Sequence, residues 1–178
     1  MQSKCLISYK DQNNYTLTDV NDGEDKLILL WSSFDEMCRY IANHIKNKNY
    51  TSYDSMLCSI IRGGLPILTR ISHLTNIQNI GIIDYRTRDF NINKPIYMFP
   101  NNINDIKNMI ILEDILDSGR TINTILQSNR KIKNKNISIY TLFSFNDTEL
   151  PENIEIFSCI ELDRETENYW IEFPWERK

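Results

Sequence analysis

Residues 108–121 read NMIILEDILDSGRT. The apolar run 108–112 reads as a β-strand, SGRT as a turn, and 121–132 as a helix with Ile122, Ile125 and Leu126 facing inward. Between strand and helix stand three acids, Glu113, Asp114 and Asp117. Ser118, Gly119, Arg120 and Thr121 can offer backbone N–H groups and hydroxyls to one phosphate, helped by the helix N-terminus. This is neither a G-x-x-x-x-G-K-[ST] loop nor a G-x-G-x-x-G turn, so the expected ligand is a phosphate monoester. Carboxylates beside a phosphate cradle make sense when the phosphate is carried by a sugar. Adjacent acids accept hydrogen bonds from vicinal hydroxyls, and one of them can hold Mg²⁺, which offsets the repulsion. Asp117 has a second reading as the N-cap of the helix.

The surrounding pattern repeats this strand-then-helix order. SMLCSII (55–61) is an apolar strand buried on both faces, followed by RGGLP and a helix over 65–74. IGIID (80–84), ISIYTLF (137–143) and IEIFSCI (154–160) read as further strands, PIYMF as a short one, and YRTRDFNINK (85–94) as a polar loop. Near the N-terminus, 5–9 and 26–31 flank the turn NDGED as a hairpin. Ser33 and Glu36 form an S-x-x-E capping box. Phe34, Met37, Cys38, Ile41, Ala42 and Ile45 then fall on one helical face. Alternation of this kind predicts an α/β fold, with a mostly parallel central sheet and helices on both faces. Ligands in such folds bind beyond the carboxyl ends of the strands, which selects the loops 61–66, 84–94, 113–121 and 144–150. In RGGLP, Gly63 and Gly64 would permit positive φ and bring bare N–H groups to a ligand, with Arg62 as a forked cation. That suits an anion such as pyrophosphate; a tight turn using glycine for geometry alone is the other reading.

Composition sets the outer bounds. The chain has 178 residues, 41% hydrophobic and 25% charged, which suits one globular domain. A net charge of −4 argues against sequence-independent nucleic-acid binding. No apolar run nears the roughly 20 residues of a membrane span. MQSKCLISYKDQNN holds no unbroken apolar segment of a signal peptide, so a cytoplasmic location is expected. Cys5, Cys38, Cys58 and Cys159 lie far apart without a C-x-x-C pair, which favours reduced thiols over disulfides or zinc. His44 and His73 lack ligand spacing. No internal repeat interrupts the chain, and the Asn-, Ile- and Lys-rich stretches still carry regular apolar residues.

The stretch IILEDILDSGRT resembles the ribose-5-phosphate signature of type I phosphoribosyltransferases. Upstream, IIRGGLP resembles the pyrophosphate loop of that family. At the C-terminus, YWIEFPWE (169–176) resembles the Trp-Ile/Val-x-x-Pro-Trp-acid segment of its xanthine-guanine and hypoxanthine-type purine enzymes. The resemblance covers about residues 26–178. It implies the type I phosphoribosyltransferase fold as one domain, with a small C-terminal hood within 161–178 and an N-terminal extension over 1–25. It implies transfer of a 5-phosphoribosyl group from phosphoribosyl pyrophosphate to a purine of the guanine, xanthine or hypoxanthine type, in purine salvage. Mg²⁺ would be the cofactor, held at Asp114, and the assembly a homo-oligomer, dimer or tetramer.

By the same resemblance Arg62, Gly63 and Gly64 meet pyrophosphate, and Glu113 and Asp114 meet ribose and metal. Asp117 lies near purine N7 as the catalytic group, and Ser118, Gly119, Arg120 and Thr121 hold the 5-phosphate. Trp170 stacks on the base, while the backbone of Ile171 reads its edge. Tyr85, Arg86 and Arg88 belong to a flexible loop closing over the substrate. One position departs from the pattern. Phe145 stands where purine enzymes that read a 6-oxo group carry Lys, so either Asn146 or a main-chain N–H donates instead, or the base is another one. Alternatives are a non-catalytic regulator that binds phosphoribosyl pyrophosphate, for which neither a basic surface nor a helix-turn-helix is evident, and a transferase for a different base. The aromatic C-terminal segment also has a plain reading as a plug over the core.

Overall fold

A computed structural model describes residues 16–19, 25–85, 94–167 and 170–177. In chain order its elements are β1 (Thr16–Asp19), β2 (Asp25–Ile28), α1 (Trp31–Asn47), β3 (Ser55–Ile61), α2 (Gly64–Thr75), β4 (Ile80–Asp84) and β5 (Ile96–Met98). After these come β6 (Asn108–Leu116), α3 (Arg120–Ser128), α4 (Arg130–Lys133), β7 (Asn136–Phe145), β8 (Glu155–Leu162) and β9 (Trp170–Glu172). Six strands form the central sheet in the order β5-β4-β3-β6-β7-β8. All neighbours pair in parallel except β4 and β5.

The apolar runs follow from burial on both sides. Along β3, Leu57 joins one core while Met56 and Cys58 join the other; along β6, Ile110 and Leu112 alternate with Met109 and Ile111 in the same way. Successive side chains of a strand point to opposite faces, so a strand with helices on both sides needs apolar residues at every position. The larger core holds the apolar faces of α1 and α2; the smaller holds Ile122, Ile125 and Ile132 from α3 and α4. Both layers of helices expected from the sequence are therefore present.

Several boundaries differ from the sequence reading. The strand begun at 108–112 runs on to Leu116, so Glu113 and Asp114 lie within β6 rather than after it. The helix expected over 121–132 is broken at Asn129, whose extended backbone separates α3 from α4. Helix α1 starts at Trp31 with Leu30 as its N-cap and no side-chain cap bond, so Ser33 and Glu36 sit inside the helix and are not its capping box. The strand paired with β2 is β1, at 16–19; the expected strand 5–9 lies outside the described residues.

A second, small sheet has the order β1-β2-β9. It joins the two ends of the chain, pairing Leu27 with Ile171 in parallel register. The Leu29 N–H donates to the Glu172 carbonyl at 3.1 Å, and the Arg177 Nη2 to the Leu29 carbonyl at 2.7 Å. Below it, Phe173 stacks on Trp175 with centroids 4.9 Å apart, and Trp175 packs edge-on against Phe34 of α1. No helix among the described residues is long and apolar enough to cross a membrane. Cys38, Cys58 and Cys159 are buried free thiols, and burial pushes the Cys38 thiol up to about 12.

Phe157 of β8 anchors the larger core, its ring against Tyr40, His44 and Tyr140. Phe157→Ala is expected to lower the unfolding free energy by about 3–5 kcal/mol. Urea denaturation followed by circular dichroism measures it; a loss below about 1 kcal/mol would mean that the aromatic cluster closes over the gap.

Candidate active site

The sheet order changes direction between β3 and β6, because β4 and β5 extend it one way and β7 and β8 the other. Crevices form at such switch points beyond the strand carboxyl ends. Pairing of β3 with β6 ends at Ser59–Leu112, whereas β6 stays paired with β7 through Leu116–Ser144. The last residues of β6 therefore lose their β3 neighbour and open a cleft of about 720 Å³. Ile60 and Ile61 from β3, Tyr85 after β4, Glu113 to Leu116 from β6, and the turn 117–121 line it.

The two adjacent acids of β6 have different surroundings. Glu113 Oε2 is buried without a hydrogen-bond partner among the described residues. Burial first, and then the Asp114 carboxylate beside it, push the Glu113 carboxyl well above the usual range. Asp114 Oδ1 accepts from the Ile115 N–H at 2.9 Å, and its carbonyl accepts from the Thr141 hydroxyl at 3.1 Å. Its carboxylate lies over Gly63, where an added Cβ would stand 1.9 Å from Oδ2. A Cβ on Gly64 would come within 2.4 Å of the Leu112 carbonyl oxygen. Neither glycine has a positive φ, contrary to expectation; both are required by close approach. The Ile61–Arg62 peptide bond is cis, and Arg62 is exposed at this turn.

At the far end of the cleft, Gly119 is the residue in the left-handed region, with φ of 80°. It caps α3, no side chain among the described residues caps that helix, and a Cβ there would meet the Glu149 carbonyl oxygen at 2.3 Å. The first N–H groups of α3 are thus without a side-chain cap where Ser118, Gly119 and Thr121 line the cleft. Arg120 is exposed and donates through Nε to the Ser118 hydroxyl at 3.2 Å. Asp117 is not the helix cap, since α3 begins three residues later; its exposed carboxylate pairs with Arg164 Nη2 at 2.5 Å.

The structure thus gathers Glu113, Asp114, Asp117, Ser118, Gly119, Arg120, Thr121 and Tyr85 around one cleft, with Gly63 against Asp114. Three base-site candidates are not among the residues that line it. Phe145 is buried at the end of β7, Ile171 is buried in the larger core, and Trp170 is exposed on the small sheet. Arg86 and Arg88 fall outside the described residues. Sequence reasoning missed Arg164 and Thr148. The Thr148 hydroxyl lies against the carbonyls of Leu116, Asp117 and Phe145, fixing the turn that leads into α3. The turn signal FNDT was legible; its partners 31 and 32 residues away were not.

No group of three or more His, Cys, Asp and Glu residues among those described could hold a metal alone. An acid pair with an unpartnered buried oxygen still fits Mg²⁺, which binds through one or two carboxylates and completes its shell with water and ligand oxygens.

A family model described as a phosphoribosyl transferase domain matches residues 31–177. No curated protein sequence matches the chain. Among solved structures it is similar to a purine phosphoribosyltransferase from Pyrococcus horikoshii Ot3, with 24% identity and a TM-score of 0.63 over 86% of this chain and 95% of that one. A Helicobacter pylori xanthine-guanine-hypoxanthine phosphoribosyltransferase shares 16% identity, with a TM-score of 0.63 over 84% and 92%. A Neisseria gonorrhoeae hypothetical protein with bound ppGpp shares 19%, with a TM-score of 0.64 over 85% and 89%. At these identities the likeness concerns the fold.

The two glycines of the 62–64 turn are expected to respond differently to a methyl group. Gly64→Ala meets backbone at Leu112 and should cost about 1–3 kcal/mol of overpacking, a fall in Tm of about 2–12 °C. Gly63→Ala meets a side-chain carboxylate that can swing away, so its Tm should fall less. Thermal melts of both variants check this; the reverse order would show that Asp114 is held more firmly than the backbone beneath Gly64.

Proposed function

Since the chain belongs to the phosphoribosyltransferase family, and so to transferases that use phosphoribosyl pyrophosphate, we propose that its acceptor is a purine of the guanine, xanthine or hypoxanthine type and that it serves purine salvage. The observation that carries the reading is a single cleft with an acid pair on its floor and an uncapped helix N-terminus at its end. Those are the two features a ribose 5-phosphate requires. The turn 118–121 takes the 5-phosphate, Glu113 and Asp114 take the ribose hydroxyls, and Arg62 with the backbone of 62–64 takes the pyrophosphate. The purine choice draws on the Pyrococcus and Helicobacter neighbours and on exposed Trp170.

Breaking the bond from ribose C1′ to the pyrophosphate oxygen leaves positive charge on the sugar and added negative charge on the leaving group. Arg62 and the N–H groups of its turn stabilise the leaving charge, and the Asp114 carboxylate faces the sugar. Asp117 accepts the proton that the base nitrogen gives up. Trp170 stacks on the base. Mg²⁺ held at Asp114 supplies positive charge against the donor's phosphates when bound.

A panel of purine and pyrimidine bases, assayed with phosphoribosyl pyrophosphate and Mg²⁺, tests this. Nucleoside monophosphate should form with at least one 6-oxopurine. Donor binding without turnover on any base would identify a regulatory protein instead, and turnover of pyrimidines alone would overturn the purine choice. Asp114→Asn should weaken donor binding about 10- to 100-fold, the worth of a charged hydrogen bond of about 1.5–3 kcal/mol; calorimetric titration reads it. Asp117→Asn should slow turnover by about 10² with little change in donor affinity. Trp170→Ala should raise the KM for the base about tenfold or more, as loss of a base stack does, and leave that for the donor nearly unchanged.

A further inference from the structure

Beyond Asp117 stands an arginine to which no role has yet been given. Arg164 lies in the turn between β8 and β9, and its guanidinium is held from three sides. Nε donates to Asp147 Oδ2 at 2.6 Å, Nη2 donates to Asp117 Oδ1 at 2.5 Å, and the guanidinium carbon lies 4.0 Å above the centre of the Phe145 ring. The Arg164 N–H donates to Asn146 Oδ1 at 3.3 Å. The side chain remains 32% exposed, and Nη1 has no hydrogen-bond partner among the described residues.

Of its neighbours, Phe145 has no donor, and the Asn146 main-chain N–H is already spent on the Leu162 carbonyl at 3.0 Å. The Asn146 side-chain amide, whose Oδ1 accepts from the Arg164 N–H, can donate but carries no charge. The guanidinium is the fixed cation beside Asp117, and it cannot lose its proton near neutral pH. Asp117, which lines the cleft, and Arg164 beside it therefore present an acceptor and a donor side by side.

We propose that Arg164 is a specificity-determining residue that reads the exocyclic oxygen of a 6-oxopurine, while Asp117 accepts the neighbouring N7–H. The inference rests on the purine reading above and deepens it. The edge of a free 6-oxopurine in its N7–H form shows a donor next to an acceptor, the complement of this pair. Adenine shows an amino group where the oxygen would be, so donors face donors. A polar group left unpaired in a closed site costs about 1–3 kcal/mol, a discrimination of about 5- to 150-fold.

The test compares wild type, Arg164→Met and Arg164→Lys. The readouts are kcat/KM for hypoxanthine and adenine, which report the whole edge, and equilibrium binding of ribose 5-phosphate and of inosine and adenosine 5′-monophosphates, whose N7 carries no hydrogen and which report the 6-substituent alone. Wild type should prefer the oxo compounds about tenfold or more, Arg164→Met should bring the two to near equality, and Arg164→Lys should keep most of the preference. Ribose 5-phosphate affinity should stay within about twofold throughout. A preference untouched by Arg164→Met overturns the proposal. So does a parallel loss of all three ligands, which would make Arg164 a structural clamp between two loops. A wild type that binds ribose 5-phosphate yet ignores the 6-substituent overturns it as well and leaves the phosphoribosyl site standing. A wild type that binds none of them takes down the functional reading and this inference together.

Discussion

The cleft depends on where β3 and β6 stop pairing. Their ladder ends at Ser59–Leu112, while β6 continues beside β7 for four more residues. Parallel strands that part at a reversal of strand order leave backbone and side chains of one strand facing open space. Glu113 and Asp114 occupy that unpaired length. Had β3 run alongside them, their carboxylates would have met a neighbouring strand or the helices above the sheet.

This placement carries a cost in stability that the rest of the fold absorbs. Glu113 keeps a buried oxygen without a hydrogen-bond partner among the described residues and sits beside a second carboxylate, both of which oppose ionisation. Local rules of good packing are broken at this end of β6. Gly63 belongs to the same compromise, since only the absence of a side chain lets Asp114 rest against the turn. The stiffness needed to hold it comes from two apolar cores on either side of the sheet, each built from alternate residues of the same strands.

The C-terminal segment divides its labour in a way that composition does not reveal. Phe173 and Trp175 pack with Phe34 as a plug, whereas Trp170 on the neighbouring strand stays exposed. Both the binding reading and the plug reading of this segment thus have residues to rest on. The turn before it brings Arg164 over Phe145 and onto Asp117, 47 residues earlier in the chain. An apolar ring at the end of β7 and a guanidinium above it form one unit, and each explains the other's surroundings.

The sequence by itself determined the alternation of strands and helices, because period-2 and period-3.6 burial leave marks within a few residues. It also determined the turn at 117–121 and the acid pair before it, since both are contiguous. Boundaries were less legible: β6 outran its apolar run because Ile115 and Leu116 continue the strand past two acids, and Asn129 broke a helix whose apolar spacing continued. Tertiary structure alone decided that Gly63 and Gly64 serve close approach and that β9 pairs with β2. It alone placed Arg164 beside Asp117. Such relations join residues far apart in the chain, and local periodicity carries no information about which distant segment will lie against which.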